Sequence, residues 1–461
     1  MVKAILIGML ILLVGIIIFA GCKKISSGDE HKDGSFVSEV VHPEWSKKVT
    51  LYEINVRQFT QEGSFNAFAE HLPRLKELGV DVLWFMPVHP IGIENRKGEL
   101  GSYYSVRDYV DVNPEFGSME DFKEMLAKAH EMGFYVLLDW VPNHTSWDHP
   151  WAAEHPEWYM KNEEGKFIPP LGFDWTDVIQ LDWSNTEMQD AMLDALKFWV
   201  ELGIDGFRAD HPHKTPKEFW ERAKLELEPI RPVLMLAENE EQTEFMEKGF
   251  DMNYAWELHH LMNEVAQGKK NASHLRKYFS KEDSIFPQNV YRMRFLTNHD
   301  ENSWQGTITE RMGEAHEVMA AFMFTMPGVP LLYNGQEACL DKRLEFFIPD
   351  PIEWKQCDKT DLYKKLIRIK KENPALWNGE FGGRMEQIKT GRGKKVIAYS
   401  REKDGNRVIS FLNLSKDPVK IKPGLEEFSG QYRNALTGEE VSLPLADSLA
   451  LVEWDYLVLL K

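Results

Sequence analysis

The chain is poor in cysteine: among 461 residues only Cys22, Cys339 and Cys357 carry a thiol. Beyond Cys22 at most one disulfide can form, so no framework of bridges supports the fold, and spacing alone leaves open whether Cys339 and Cys357 pair. Basic clusters are equally scarce. Asp and Glu outnumber Lys and Arg 73 to 54, for a net charge of −19, and nothing gathers positive charge to neutralise phosphates, which argues against nucleic acid and other polyanions as partners. From about Glu44 to Trp377 there is also no HExxH, CxxC, Walker glycine-rich loop, GxGxxG or GxSxG. Zinc-protease, nucleotide, dinucleotide and serine-hydrolase chemistry therefore lack motif support. A neutral ligand fits this composition better.

What is present begins with Met1-Val-Lys3 and an apolar run from Ala4 to Phe19, the layout of a secretory signal. Its end, Phe19-Ala-Gly-Cys22, resembles a bacterial lipobox, where small residues precede a cysteine that takes lipid and becomes the new N-terminus; Leu is usual where Phe19 stands. The alternative is an uncleaved membrane anchor, with the run near the lower limit of a span. Both readings export the body, and the first anchors it by lipid in the bacterial cell envelope, on the periplasmic or the outer face. Residues 1–21 are thus expected to form a lipoprotein signal peptide, and residues 22–43, rich in Ser, Gly, Asp and Lys, a flexible tether.

With 43% hydrophobic residues and 15 Trp the remainder can bury a large core. One unit repeats through it, a helical pattern closed by Gly and followed at once by an apolar strand: Glu77-Leu-Gly-Val-Asp-Val-Leu-Trp, Glu131-Met-Gly-Phe-Tyr-Val-Leu-Leu and Glu201-Leu-Gly-Ile-Asp-Gly-Phe-Arg. Gly sits where a helix C-cap needs a left-handed residue, and strands apolar on both faces are those of buried parallel sheets. Helix starts are read at Ser184 to Glu187, a capping box, and at Ser118 with Asp121, a similar start, while Pro73 should kink its helix or start it late. Strands are expected at Leu51–Val56, Val82–Met86, Tyr135–Asp139, Ile204–Arg208, Val233–Ala237, Asn253–Trp256, Arg292–Thr297 and Val329–Tyr333. The fold class is α/β: a (β/α)8 TIM barrel over residues 44–377, with a small excursion at 144–183 that is too long for a structureless loop. Residues 378–461 lose the helical unit and alternate apolar with polar, as in an antiparallel C-terminal β-sandwich domain.

The strand ends carry the chemistry. Asp139-Trp-Val-Pro-Asn143-His144 follows the third strand, Arg208-Ala-Asp210 the fourth, Glu238 the fifth and Asn298-His299-Asp300 the seventh. Barrel strands open their C-terminal ends onto one face, so these groups converge. Clustered carboxylates repel one another unless used, and several of them with histidines and aromatics around a neutral ligand suit glycoside hydrolysis.

The segments Asp139–His144, Gly206–Asp210, Glu238 and Phe295–Asp300, in this order, resemble the α-amylase superfamily of retaining glycoside hydrolases, with support from Gly79–Pro87, Leu181-Asp-Trp-Ser-Asn185 and Gly328–Glu337. The resemblance implies Asp210 as nucleophile, Glu238 as general acid/base and Asp300 as the acid that binds ring hydroxyls. Arg208 would hold Asp210 ionised, while burial at an apolar strand end would raise the pKa of Glu238. Glu240 is a rival acid two residues on. His144 and His299 would bond sugar hydroxyls and Tyr104 would stack on the reacting ring. His213 and Lys214 stand, in reversed order, where many family members place a Lys then a His for the leaving-group side. Asn143 and Asp182 match family calcium ligands, so the resemblance offers Ca2+ as a cofactor, while family members with a segment like Leu181-Asp-Trp-Ser-Asn185 often lack that calcium. The implied substrate is an α-1,4-glucan or maltooligosaccharide. The alternatives are a 4-α-glucanotransferase, an α-glucosidase or cyclomaltodextrinase, and a catalytically dead glycan-binding homologue that the intact Asp210, Glu238 and Asp300 argue against.

Overall fold

Helices of the repeated unit end where the sequence places Gly. Gly79 and Gly203 adopt φ of 99° and 121°, closing helices Leu72–Leu78 and Thr186–Leu202 and turning the chain into strands. In a computed structural model, which describes residues 36–422, 426–444 and 448–461, these strands close into the expected barrel. The signal peptide, Cys22 and the tether up to residue 35 lie outside the described residues.

The strands are β1 (Leu51–Ile54), β2 (Val82–Phe85), β3 (Tyr135–Trp140), β4 (His144–Ser146), β5 (Val178–Gln180), β6 (Gly206–Ala209), β7 (Leu234–Ala237), β8 (Met252–Tyr254), β9 (Tyr291–Phe295) and β10 (Val329–Tyr333). All but β4 and β5 form a closed parallel barrel in the order β1-β2-β3-β6-β7-β8-β9-β10. Its interior is packed by Leu51, Trp84, Leu137, Leu236, Tyr254, Met293, Phe295 and Leu331, while alternate residues face the helices. Each such side chain contributes roughly 1.5–3 kcal/mol by leaving water. Gly206 admits no side chain, because a Cβ there would lie 2.0 Å from the Leu234 carbonyl oxygen. That close approach sets β6 tightly against β7.

Several expectations need correction. The sixth barrel strand was expected to reach Trp256, but it stops at Tyr254, and Trp256 opens the helix Trp256–Ala266. The cap expected at Ser184 falls one residue later, because Asn185 Oδ1 accepts from the Met188 N–H while Ser184 bonds Asp182. The tether, expected to run free to residue 43, is docked from at least Phe36: Phe36 meets Phe286 edge-on at 6.0 Å, and His42 lies 2.8 Å from the buried Asp251. Other expectations hold. Pro73 sits in the first turn of Leu72–Leu78, a late start after the separate helix Phe65–Ala69, and Ser118 with Asp121 forms its capping box.

The excursion carries the hairpin-like pair β4 and β5, with His144 opposite Gln180. The C-terminal domain has a six-stranded sheet built around Val396–Lys403, Asn406–Asn413 and Tyr456–Leu460, and the pair Val419–Ile421 with Leu449–Leu451 packs over it. The buried Arg401 joins this domain to the barrel by donating to the carbonyls of Met326 and Trp377. Cys339 and Cys357, whose pairing the spacing left open, form a disulfide.

Candidate active site

Arg208 is the centre of the barrel mouth. It points inward from β6 and is fully buried beside Trp84 and Tyr254. Its Nη1 lies 2.8 Å from Asp139 Oδ1 and 3.2 Å from Asp210 Oδ1, its Nη2 2.7 Å from Glu238 Oε1, and its Nε donates to Tyr254 at 3.1 Å. Three carboxylates from three adjacent strands therefore share one cation. One oxygen each of Asp210 and Glu238, and one ring nitrogen of His211, lie within 4.8 Å of one another.

A second chain of contacts runs across the mouth. Glu53 of β1 accepts from His299 Nδ1 at 2.5 Å, His299 Nε2 meets the Tyr104 hydroxyl at 2.8 Å, and that hydroxyl donates to Asp139 at 3.1 Å. Asp300 lies 3.4 Å from His299 Nε2 and is partly exposed. Burial lowers the His299 pKa, but the charges of Asp300 and Glu53 outweigh it and push it up to about 9. Tyr104 stacks on this imidazolium with ring centres 5.6 Å apart. His144, by contrast, is held neutral: burial and the charge of His211 lower it to about 3.

The cleft above has a volume of about 350 Å³. Tyr104, His144, Asp210, Glu238, His299 and Asp300 all line it, so the structure brings these sequence-predicted residues together. Arg208 lies beneath them. His213 and Lys214 stand outside the lining, His213 against His211 and Lys214 over the Phe173 ring at 5.3 Å. Glu240, the rival acid, turns away and pairs with Arg292.

In this structure the balance of burial and charge runs against the expected assignment. Burial and the neighbouring Glu238 raise the Asp210 carboxyl to about 7, more than His211 and Arg208 can offset. Burial also raises Glu238, but Arg208, His211, His299 and the His211 N–H together hold it down to about 2. The physical reason is reach. Arg208 approaches Glu238 across the strand boundary more closely than it approaches Asp210 two residues away.

At the two residues matched to calcium ligands, the donor chemistry argues against the ion. The Asp182 carboxylate accepts from the Ser184 N–H at 3.0 Å and hydroxyl at 2.7 Å, and Asn143 Oδ1 accepts from Gln180 Nε2 at 2.9 Å. Calcium takes 6–8 oxygens at 2.3–2.6 Å, and here a nitrogen donor already sits against the oxygen. Asn143 and Asp182 do not fit the ion.

Sequence reasoning missed Glu53, His211 and the cleft walls Phe173, Trp175, Trp304, Phe346 and Phe347. Two signals were available. Glu53 is a charge inside the apolar strand Leu51-Tyr-Glu-Ile54, and His211 directly follows Asp210. His211 holds a left-handed φ of 41°, and its N–H donates to Glu238 Oε2 at 3.2 Å.

The chain is similar to known proteins over most of its length. The family model for the alpha amylase catalytic domain matches residues 26–170 and 153–374. Alpha-amylase MalA of Haloarcula japonica is 28% identical over 434 residues, 90% of this chain, and the chain spans 63% of that relative's length. An alpha-1,4-glucan:maltose-1-phosphate maltosyltransferase of Picrophilus torridus is 27% identical over 88% of this chain and 67% of its own length. The crystal structure of an alpha-amylase from Lactobacillus plantarum superposes with a TM-score of 0.81 at 29% identity, over 90% of this chain and 99% of that one.

Proposed function

The chain belongs to the alpha-amylase family through its catalytic domain, and from that premise we propose that it is a retaining glycoside hydrolase cleaving α-1,4-glucosidic bonds in starch-derived glucans or maltooligosaccharides. The observation that carries this reading is the approach of Asp210 and Glu238 to within 4.8 Å. Retaining enzymes hold their two carboxyls about 5–5.5 Å apart, whereas inverting ones leave about 6.5–9.5 Å for a water.

In the productive arrangement Asp210 is ionised and attacks the anomeric carbon, while Glu238 gives its proton to the departing oxygen. Burial and Glu238 raise the Asp210 carboxyl while Arg208 and His211 hold Glu238 down, so a substrate that draws Glu238 away from Arg208 favours the productive arrangement. A glycosidic oxygen arriving at Glu238 does this by offering an acceptor that only the protonated carboxyl can serve. Arg208, freed from Glu238, then favours the Asp210 carboxylate. Asp300 and the charged His299 bond the hydroxyls of the reacting ring, neutral His144 adds a further donor, and Tyr104 faces the positive charge that develops on that ring. After water replaces the leaving sugar, Glu238 takes its proton as the water oxygen attacks the anomeric carbon and the bond to Asp210 breaks, which frees both carboxyls for the next turnover.

Transfer to a second sugar differs only in the acceptor. The maltosyltransferase relative supports that second reading, as do Phe173 and Trp175, stacked at 4.0 Å beside His211, which offer an aromatic face to an incoming sugar. Calcium is often bound in this family, but the donor set of this chain argues against it at Asn143 and Asp182. Residues 1–22 support export and lipid attachment at Cys22, so the intact mass of membrane-extracted protein should begin at a modified Cys22. Mass beginning at Met1 with a free thiol would end that reading. Among the described residues no helix is long and apolar enough to cross a membrane.

NMR of the first product released from an α-linked maltooligosaccharide tests the mechanism. The α-anomer is expected. An initial β-anomer means inversion, and the roles of both Asp210 and Glu238 would have to be given up.

A further inference from the structure

At the end of β3 three oxygens converge on one nitrogen. Gln180 Nε2 lies 2.9 Å from the Asn143 carbonyl oxygen, 2.9 Å from Asn143 Oδ1 and 3.1 Å from the Leu181 carbonyl oxygen. The amide can face only this way, because turning it over would set Gln180 Oε1 against three acceptors with no proton among them. Two N–H bonds thus serve three oxygens, one of them shared. The Leu181 N–H closes the ring by donating to the Asn143 carbonyl at 3.2 Å.

The place of this contact gives it weight. Asn143 belongs to the turn that leaves the barrel, Gln180 and Leu181 to the returning side of the excursion, and Gln180 pairs with His144, which lines the cleft. One side chain ties the excursion to the barrel and seats a cleft residue. Three oxygens aimed at one point make a partial cation sphere, and the positive partner they meet is the amide hydrogen pair. We propose that Gln180 takes the place of a calcium ion in this chain: its amide latches the excursion onto the barrel, and the fold needs no calcium to stay closed.

The proposal has a converse that can be tested. Gln180→Glu would put a carboxylate among the same three oxygens, which repel it unless a cation is present. With a cation the four groups become an oxygen-rich site of the kind calcium takes. Thermal midpoints of the whole purified chain, measured in excess EGTA and in millimolar calcium, decide the matter.

The unaltered protein should give the same midpoint in both conditions and contain no calcium by elemental analysis. Gln180→Glu should melt lower in EGTA, recover with calcium and recover less with magnesium. Gln180→Met, which keeps the bulk and removes the donor, should lose about 2–4 °C in both conditions, and it reads the latch even if the glutamate variant fails to fold. A midpoint of the unaltered protein that falls in EGTA overturns the proposal. So does calcium retained at one per chain, a glutamate variant indifferent to calcium, or a methionine variant with an unchanged midpoint. None of these readings uses activity, so the proposed function stands or falls separately.

Discussion

Asp139, Asp210 and Glu238 crowd one guanidinium at the barrel mouth, whereas on the outer wall of the same barrel two arginines meet two glutamates, with Glu282 bridging Arg292 and Arg294 and Glu240 on Arg292. Both clusters are buried and both join neighbouring strands or helices. Their electrostatics differ. Burial raises Glu282, yet Arg294, Arg292 and the Tyr278 hydroxyl hold it down to about 2, so the outer cluster is a settled salt bridge. At the mouth burial raises Asp210 to about 7 and Asp139 to about 6, with Glu238 adding to both, and one arginine shared among three acids does not offset it. Balanced charge marks a structural cluster here, and unbalanced charge marks the site where a proton has to move. The comparison also separates Glu238 from Glu240, two residues apart in sequence and on opposite sides of this divide.

The largest expected effect breaks the comparison at these two glutamates. Glu238→Gln should cost about 10²–10⁴-fold in kcat on a maltooligosaccharide, with partial rescue by a good aryl leaving group, and Asp210→Asn should cost more whatever the leaving group. Glu240→Gln should leave kcat within a few fold. Steady-state rates on both substrate types check this, and a dead Glu240→Gln that remains folded would reverse the assignment.

Stability should move in the opposite sense. Glu282→Gln takes from the buried Arg294 its carboxylate partner and leaves Arg292 with Glu240, and it should cost about 3–5 kcal/mol, read as a lower denaturation midpoint with unchanged activity per folded molecule. Asp210→Asn should raise the thermal midpoint. Folding lifts the Asp210 carboxyl from 3.8 to about 7, so the native state binds more protons than the unfolded chain between those values. Its stability therefore declines as pH rises through that window. The gain from Asn should be full near about pH 8 and vanish near about pH 4. Melting curves at both ends of the window test the sign.

The smallest effect concerns His211. Its cation favours the charged forms of both Glu238 and Asp210, so removing it raises both carboxyls. His211→Asn should move both limbs of the kcat/KM profile to higher pH by about half to one unit, with kcat falling less than about tenfold. A profile that keeps its position would mean that His211 acts only through its backbone.

Local pattern was enough for the barrel and for the convergence at its mouth. Apolar runs closed by Gly79, Gly133 and Gly203 announce βα units because helix caps and buried strands depend on neighbours a few residues away. Asp139, Asp210, Glu238 and Asp300 were legible because strand ends of a parallel barrel open on one face. What only the tertiary structure decided is which groups share a charge or a hydrogen bond. Arg208 serves Glu238 rather than chiefly Asp210, Glu53 reaches His299 across 246 positions, and Gln180 meets Asn143 across 37. Cys339 and Cys357 likewise pair only once the loop between them is placed. These outcomes depend on interstrand register and on distances of a few tenths of an ångström between residues far apart in the chain. Hydrophobic periodicity carries no record of such distances, and Coulomb and hydrogen-bond energies are decided by them.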